Sequence, residues 1–323
     1  MSTTPDLITP RDSTPTGVFA DAAGSQTSGI VGAHECKQAG FGGRGAGGVS
    51  TKAEGPIHII SLGAGVQSST MALMAAHGEI TPMPTAAIFA DTQAEPKAVL
   101  EWLKYLETKL PFPVYQVTAG NLLTDTLSVR PKGKFLRVDI PAFVVSDGKI
   151  DGLINRSCTR DYKITPIKRK LREILGAKKG TQIKGLRVLQ WIGISLDEAH
   201  RMKPSRDKWI ENRWPLIEQR MNRQNCLMWM ERNGYPKPPK SSCIFCPYHS
   251  NAQWFALPAD EREVACDLDD RMRQEKDGKK VRLNGELFLH KSGKPLRQVY
   301  AEKDANPDEQ DLFGNECSGV CNS

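Results

Sequence analysis

Short apolar runs alternate with amphipathic stretches along residues 57–195. Strands are predicted for the short runs of buried character bounded by turn residues, namely 57–61, 85–91, 112–118 and 188–195. Helices are predicted for the stretches with a helical apolar period or a terminal glycine, namely 69–78, 95–110, 161–176 and 222–236. Because strands and helices alternate, the pattern predicts an α/β fold with a parallel, Rossmann-like sheet.

The flanks of this region have a different character. Residues 1–55 are rich in Gly, Ser, Thr, Ala and Pro and show no apolar period, so we predict a disordered tail, with Cys36 incidental to it. Residues 121–155 are predicted to form loops with one short strand at 135–140. The predicted organisation is therefore a tail (1–55), an α/β domain (56–205) and a C-terminal cysteine-containing region (206–323).

Composition narrows the class of protein only slightly. The chain has 323 residues and a net charge of +7, an excess that permits an anionic ligand or a nucleic acid but requires neither. The apolar runs are too short to cross a bilayer, and the first residues lack the features of a secretory signal, so we predict a cytoplasmic protein without a membrane partner. Four tryptophans lie among basic residues, where they would either stack on nucleic-acid bases or, for at least half of them, pack in the core: Trp209, Trp214, Trp229 and Trp254.

The stretch "HIISLGAGVQSST" (58–70) leaves a buried strand through two glycines and enters a helix at once. A glycine turn lets backbone N–H groups point at a phosphate, and the N-terminus of the following helix adds a favourable dipole. The spacing is neither G-x-G-x-x-G nor G-x-x-x-x-G-K-[ST], which excludes the ordinary dinucleotide and P-loop motifs. Taken alone, the Gly-x-Gly stretch favours a tight structural turn over a phosphate site.

Four segments in order resemble the phosphoadenylyl-sulfate (PAPS) reductase family of the adenine nucleotide alpha-hydrolase (PP-loop) superfamily. They are "SLGAGVQSS", "IFADTQAEP", "SCTRDYKITPIKRKL" and "WIGISLDEAHR", which together span about residues 57–201. The resemblance implies that the α/β domain binds an adenine nucleotide: PAPS, its analogue adenylyl sulfate (APS), or ATP. One departure concerns Gln67, which stands where the ATP-cleaving members usually have Asp, and this argues against ATP pyrophosphatase activity.

The resemblance also implies a set of site residues. Those expected to contact the nucleotide are Ser61, Gly63, Ala64, Gly65, Gln67, Ser68, Ser69, Asp91, Lys163, Arg169, Gly193, Glu198 and Arg201. Asp91, at a strand end where ligands gather, is also expected to be catalytic. The terminal "ECSG" resembles the reductases' C-terminal Glu-Cys-Gly motif, with a serine inserted, and implies that Cys317 is the nucleophile.

The remaining cysteines point to a metal centre. "CIFC" places Cys243 and Cys246 at a spacing that can grip one metal centre. The resemblance adds Cys158 and implies a [4Fe-4S] cluster on these three cysteines. The fourth ligand stays open between Cys226 and the tail cysteines. A zinc site built from Cys243, Cys246, Cys317 and Cys321 is the rival, and Cys266 is predicted to be a helix-core residue.

These observations predict an enzyme of the PAPS reductase type. It would act on an adenylyl-linked sulfur substrate or in sulfur transfer, with an electron donor such as a thioredoxin-like protein. One alternative is an enzyme that uses ATP to thiolate nucleic acid. The other, from a different class, is a zinc-containing nucleic-acid-binding protein on an inactivated nucleotide fold. Metal content separates the zinc protein from the two enzymes.

Overall fold

The computed structural model describes residues 55–128, 135–154, 157–275, 281 and 284–305. All of them belong to one compact unit of the chain. The predicted tail, apart from residue 55, lies outside these ranges, as do Cys317 and Cys321. The division into an α/β domain (56–205) and a C-terminal region (206–323) stays a prediction.

A five-stranded parallel sheet forms the centre of the described structure. Its strands are β1 (Ile57–Leu62), β2 (Ala86–Asp91), β3 (Val114–Thr118), β6 (Val188–Ile192) and β7 (Ile210–Arg213). Their order is β3-β2-β1-β6-β7, and all neighbours run parallel. The predicted α/β Rossmann-like fold is therefore confirmed.

Helices pack on both faces of this sheet, and further helices pack around a separate core cluster. Their bounds are α1 (Val66–Ala76), α2 (Lys97–Glu107), α3 (Leu122–Asp125), α4 (Thr165–Ile174), α5 (Pro215–Glu218), α6 (Arg223–Arg232), α7 (Asn251–Phe255), α8 (Ala259–Arg271) and α9 (Leu296–Ala305). Adjacent β1 residues face opposite sides, so Ile60 packs with α1 and α2, while Ile59 packs with Leu171 of α4. Both side chains are fully buried, which explains why a parallel strand is apolar throughout rather than alternating.

The strand order creates a switch point beside β1. From β1 the chain winds outward to β2 and β3 and then returns to β6 on the other side of β1. In open α/β sheets, ligands bind at the carboxyl ends of the strands where the winding direction reverses. The topology therefore directs attention to the loops that follow β1 and β6.

One predicted strand is wrong. Residues 135–140 form only an isolated bridge, Leu136 to Val281, because the backbone of Arg137 instead pairs with Leu127 and Ser128 of a preceding loop. The strands of this part of the chain are β4 (Phe143–Ser146) and β5 (Lys149–Leu153), which join β8 (Glu286–Phe288) in an antiparallel sheet of order β5-β4-β8. Within the described ranges, no helix has the length and apolar character needed to cross a membrane.

Candidate functional site: a polar cleft beside a cysteine cavity

A cleft with a cavity volume of about 90 Å³, open to solvent, lies at the switch point. It is lined by Gly63, Gly65, Val66, Gln67, Ser68, Lys163, Gly193, Ile194, Glu198, Arg201, Arg223, Pro239, Lys240, Ser241 and Ser242. The carboxyl ends of β1 and β6 thus contribute the floor that the topology predicts.

The loop after β1 turns sharply into α1. Ala64, which is fully buried, adopts a positive φ of 54°, and α1 begins two residues later at Val66. The hydroxyl of Ser68 accepts the backbone N–H groups of Gly63 (3.2 Å) and Gly65 (3.3 Å). An anionic oxygen could accept hydrogen bonds from these two N–H groups in place of the Ser68 hydroxyl. The N-terminus of α1 adds a dipole that favours negative charge at this point.

Gly193, at the end of β6, presses against this helix N-terminus. A Cβ atom at this position would lie 2.8 Å from both the nitrogen and the Cα atom of Ser68. Neither backbone atom can move without shifting α1, so only glycine lets the two loops approach this closely. Gly193 thereby sets the width of the cleft at its floor.

The cleft carries an excess of positive charge. Its cationic lining residues are Lys163, Arg201, Arg223 and Lys240, and its acidic one is Glu198. Arg201 pairs with Glu198 at 2.9 Å, with both side chains largely buried. Arg201 Nε is also buried and finds no hydrogen-bond partner among the described residues. This charge balance suits an anionic ligand.

Gln67 is held in the cleft by two neighbours. Its carbonyl oxygen accepts a hydrogen bond from Arg223 at 3.1 Å, and its amide donates to the hydroxyl of Ser195 at 3.4 Å. A neutral side chain here adds no negative charge beside the Arg223 guanidinium. An aspartate at this position would add a negative charge to the cleft. The Gln67 amide therefore keeps the cleft more positive than a carboxylate would.

The structure places the predicted nucleotide-binding residues in two groups. Those that line the cleft are Gly63, Gly65, Gln67, Ser68, Lys163, Gly193, Glu198 and Arg201. The others do not line it: Ser61, Ala64, Ser69, Asp91 and Arg169. Ser69 is fully buried and accepts the indole N–H of Trp102 at 2.9 Å, while Arg169 is exposed on α4. Asp91 ends β2, where its carboxylate accepts the backbone N–H of Gln93 at 2.7 Å.

A second cavity, the cysteine cavity, adjoins the cleft. It is lined by Thr92, Leu122, Ile140, Pro141, Cys158, Thr159, Lys163, Cys243, Phe245, Cys246, Pro247 and Tyr248. The three predicted metal ligands, Cys158, Cys243 and Cys246, thus meet at one cavity, although they come from distant segments of the chain. Lys163 lines both the cleft and this cavity.

Glu95 forms a small polar cluster at this boundary. Its carboxylate oxygen Oε1 lies 3.4 Å from Lys163 Nζ and accepts a hydrogen bond from the Thr92 hydroxyl at 3.2 Å. Cys243 Sγ lies 3.5 Å from the same hydroxyl and 4.0 Å from Oε1. The second oxygen, Oε2, is buried and has no hydrogen-bond partner in the described part of the chain. Lys163 therefore compensates a buried carboxylate beside the cysteines.

The cysteine cavity fits an iron–sulfur cluster in the type of its donors. Three thiols at an apolar cavity match cluster ligation, in which each cysteine binds a different iron atom. Among residues 55–128, 135–154, 157–275, 281 and 284–305, no three His, Cys, Asp or Glu side chains converge closely enough to hold one metal ion. The rival zinc site includes Cys317 and Cys321, which lie outside these ranges.

The other described cysteines sit in the core. Cys226 is fully buried in the cluster around α1, and burial raises the pKa of its thiol to about 12. Cys266 is buried in α8, where burial raises the pKa of its thiol to about 11. Cys158 and Cys243 pack instead against a different core cluster from that of Cys226. The structure thus places Cys226 apart from the cysteine cavity.

Sequence reasoning missed several residues of the cleft. Arg223, which begins α6, gives no sequence signal for its role, because it is one of many arginines in a polar stretch. Ser242 adjoins Cys243, so its proximity to a predicted ligand was the available signal. Ser242 hydrogen-bonds His249 at 2.8 Å, and burial lowers the pKa of that histidine to about 4.

Fold and site together define an α/β protein with an anion-attracting cleft at the switch point of a parallel sheet. No protein-family model matches the chain, and no curated protein matches it in sequence. Among solved structures, it is similar to PAPS reductase from Candida auris in its phosphate complex, at 10% identity and a TM-score of 0.34, covering 58% of this chain and 78% of that one. It is also similar to the U34-tRNA thiolase NcsA from Methanococcus maripaludis with its [4Fe-4S] cluster, at 13% identity and a TM-score of 0.34, covering 82% and 79%.

Proposed function

We propose that this protein is an enzyme of the PAPS reductase type, which binds an adenylyl-linked sulfur substrate in the cleft and carries out sulfur chemistry beside the cysteine cavity. The observation that carries the proposal is the position of Lys163, whose side chain lines both cavities. A phosphate or sulfate group bound next to Lys163 would lie against the wall shared with Cys243. The nucleotide-binding residues of the cleft and the thiols would then act on one substrate.

The residues of the cleft would bind and orient the anionic part of the substrate. The N–H groups of Gly63 and Gly65 exchange the Ser68 hydroxyl for anionic oxygens, and Arg201 offers a guanidinium whose Nε has no partner among the described residues. Lys163 neutralises charge that develops on the phosphate when the bond to sulfur breaks. Each of these groups is in place before the substrate binds.

The cysteines Cys158, Cys243 and Cys246 would hold the [4Fe-4S] cluster. A cluster bound there would supply electron transfer or sulfur binding. The protein's own contribution is to exclude water with the apolar walls Leu122, Ile140 and Phe245. These walls lower the local dielectric around any charged group in the cavity.

Cys317 lies outside the described residues, and its role as nucleophile is part of the proposal. Its thiolate would attack the sulfur of the sulfate, a new S–S bond would form, and the bond from sulfur to the bridging phosphate oxygen would break. The nucleotide phosphate leaves with the bond's electron pair, and a cysteine S-sulfonate remains. Two thiols of a thioredoxin-like donor then release sulfite and become a disulfide.

ATP-dependent thiolation of nucleic acid is the second function that the sequence predicts. It would use the same cleft, but most of the tryptophans considered for stacking on bases are packed inside the protein. Trp209, Trp229 and Trp254 are all buried, and only Trp214 is half-buried. This burial leaves Trp214 as the one of these four tryptophans whose ring is partly open to a base.

The experiment is anaerobic purification followed by analysis of iron, sulfide, zinc and bound nucleotide, and by assays with PAPS, APS and ATP. We expect a brown protein that binds PAPS or APS and releases sulfite when a dithiol donor is present. ATP cleavage that requires RNA or DNA would transfer the proposal to thiolation. A colourless protein with bound zinc and no nucleotide affinity would overturn both functions.

The role of Cys317 has its own test. As a nucleophile, Cys317 should react with iodoacetamide and be protected by substrate, and Cys317→Ser should keep metal and nucleotide binding but lose turnover. As a metal ligand, it should react only after metal removal, and the same variant should lose metal. A Cys317→Ser protein with full metal content and full activity would exclude both roles.

A further inference from the structure

Residues 239–242 form a wall of the cleft beside the Gly63–Ser68 loop. Ser241 touches Gly65 directly, since a Cβ atom on Gly65 would lie 2.5 Å from the Ser241 hydroxyl oxygen. Ser242 also lines the cleft, and the next residue, Cys243, lines the cysteine cavity. One short stretch of chain therefore touches both cavities, although sequence reasoning assigned a role only to its cysteine.

Ser242 is held by a buried histidine. The Ser242 hydroxyl lies 2.8 Å from His249 Nε2, and the two residues are only 5% and 6% exposed. His249 Nδ1 is buried and has no hydrogen-bond partner among the described residues. A neutral imidazole carries its proton on one of these two nitrogens.

The unpartnered nitrogen decides which tautomer the site favours. A proton on Nδ1 would be a buried N–H group without an acceptor, which is rare in folded proteins. A proton on Nε2 instead donates to the Ser242 oxygen. The Ser242 hydroxyl then accepts a hydrogen bond from His249, so its own hydrogen can be donated to a group in the cleft.

We propose that Ser242 donates a hydrogen bond to an anionic phosphate or sulfate oxygen in the cleft, and that His249 is the positioning residue that directs this donor. Ser242 would meet the anion from the side opposite the Gly63–Ser68 loop, with Lys163 and Lys240 supplying charge. The identity of that anion as part of an adenine nucleotide rests on the proposed function. The donor itself requires only a tetrahedral oxyanion.

The test measures binding of inorganic pyrophosphate, PAPS, APS and ATP by calorimetry, with the full-length protein purified anaerobically. Ser242→Thr and Ser242→Val are the informative pair, because both side chains have nearly the same volume and only Thr keeps the hydroxyl. We expect Val to bind pyrophosphate at least about tenfold more weakly than Thr, since a hydrogen bond to a charged group is lost. Any packing strain affects both variants, so their ratio isolates the hydroxyl.

His249→Asn tests the positioning role against a matched control. His290 is also buried and lies 2.7 Å from a serine hydroxyl, that of Ser292, but neither residue lines the cleft. We expect His249→Asn to weaken pyrophosphate binding severalfold in the Ser242 protein but to have little further effect in Ser242→Val. His290→Asn should leave binding unchanged even if it lowers the melting temperature.

The outcomes separate this inference from the proposed function. Equal affinities of the Thr and Val variants for pyrophosphate and for every nucleotide that the wild type binds would overturn the role of Ser242. A protein that binds pyrophosphate with the expected Thr-to-Val ratio, but no adenine nucleotide, would support Ser242 and remove the proposed function. A wild type that binds none of the four probes would remove both.

Discussion

The cleft is lined by charged and hydroxyl-bearing side chains, whereas the adjoining cysteine cavity is lined mostly by apolar ones. In the cleft, loop N–H groups and Gln67 have hydrogen-bond partners before any ligand arrives. In the cysteine cavity, the charged lining residue Lys163 is paired with the buried Glu95. The first arrangement suits a polar ligand that exchanges with water, and the second suits a group kept away from it.

The two regions also differ in how the chain builds them. The floor of the cleft comes largely from one continuous strand–loop–helix unit, β1 to α1, to which Gly193 is fitted. The cysteine cavity requires Cys158 and Cys243 to be brought together by tertiary packing. The floor of the cleft is thus encoded locally, while the cysteine cavity depends on the fold around it.

The largest effect is expected for the cysteines themselves. Cys158→Ser, Cys243→Ser or Cys246→Ser should each abolish iron and sulfide in anaerobically purified protein, because a hydroxyl is a poor substitute for a thiolate ligand. Nucleotide affinity should change far less, which would sharpen the contrast between the regions. Cys266→Ser, a buried thiol outside the cavity, is the control and should keep its iron; full iron content in all three variants would contradict the cluster.

Gly193→Ala should have the next largest effect, confined to the cleft. The added Cβ atom would meet the Ser68 backbone at 2.8 Å and push the β6 loop away from α1. We expect the nucleotide to bind about 10- to 100-fold more weakly by calorimetry, because displaced loop N–H groups lose hydrogen bonds to a charged group. Gly65→Ala is the matched variant: its Cβ would approach closely only the Ser241 hydroxyl oxygen, at 2.5 Å, while the Ser241 Cβ and backbone nitrogen lie at 3.4 and 3.9 Å. That hydroxyl can rotate, so the effect should be smaller. Equal affinities for both variants would argue against a rigid cleft floor.

Lys163→Met should affect both regions at once. Losing the Lys163 ammonium should weaken nucleotide binding about tenfold, because a hydrogen bond between charged groups is lost. Leaving the buried Glu95 carboxylate without this cation should lower the free energy of unfolding by about 1–3 kcal/mol. Calorimetry and chemical denaturation measure the two effects. Lys168→Met is the control, because Lys168 pairs with Asp207 outside both cavities. A variant with normal binding and stability would remove Lys163 from the boundary.

Asp91→Asn should have the smallest effect on binding. The Asp91 side chain caps a local turn through the Gln93 N–H group, and an asparagine oxygen can accept that hydrogen bond equally well. Nucleotide affinity should stay within about twofold of the wild type, because Asn and Asp side chains stabilise the same kind of turn. Turnover measured on the same variant tests the catalytic role that the sequence predicts. Lost turnover with intact binding would assign Asp91 to the chemistry, and lost binding would connect it to the cleft.

The fold was predictable where the signal is local. Apolar runs and glycines define β1, β2 and α6 to within a few residues, although α1 begins at Val66 rather than at Ser69, because Gly65 and not the serine pair precedes the first helical residue. The strand predicted at 135–140 fails because Arg137 finds its backbone partners in a neighbouring loop. The residues of one short segment do not indicate which other segment its backbone will pair with.

The same limit applies to the site. The glycines and Ser68 follow a strand directly, so their placement at the cleft could be predicted from the chain order. Arg223 and Ser242 join the cleft only through tertiary packing, and no spacing rule connects either residue to the loop after β1. Ser69 and Ala64 belong to the expected motif but point into the core, because a helix start must also bury one of its faces.

The contact between Lys163 and Glu95 makes the two cavities thermodynamically linked. An anion that draws the Lys163 ammonium toward the cleft leaves a buried carboxylate less compensated beside Cys243, and this cost is subtracted from the anion's affinity. Coupling free energies are reciprocal. A positive charge that stabilises Glu95 from the cysteine side would therefore tighten anion binding in the cleft, and the anion would tighten retention of that positive charge by the same factor.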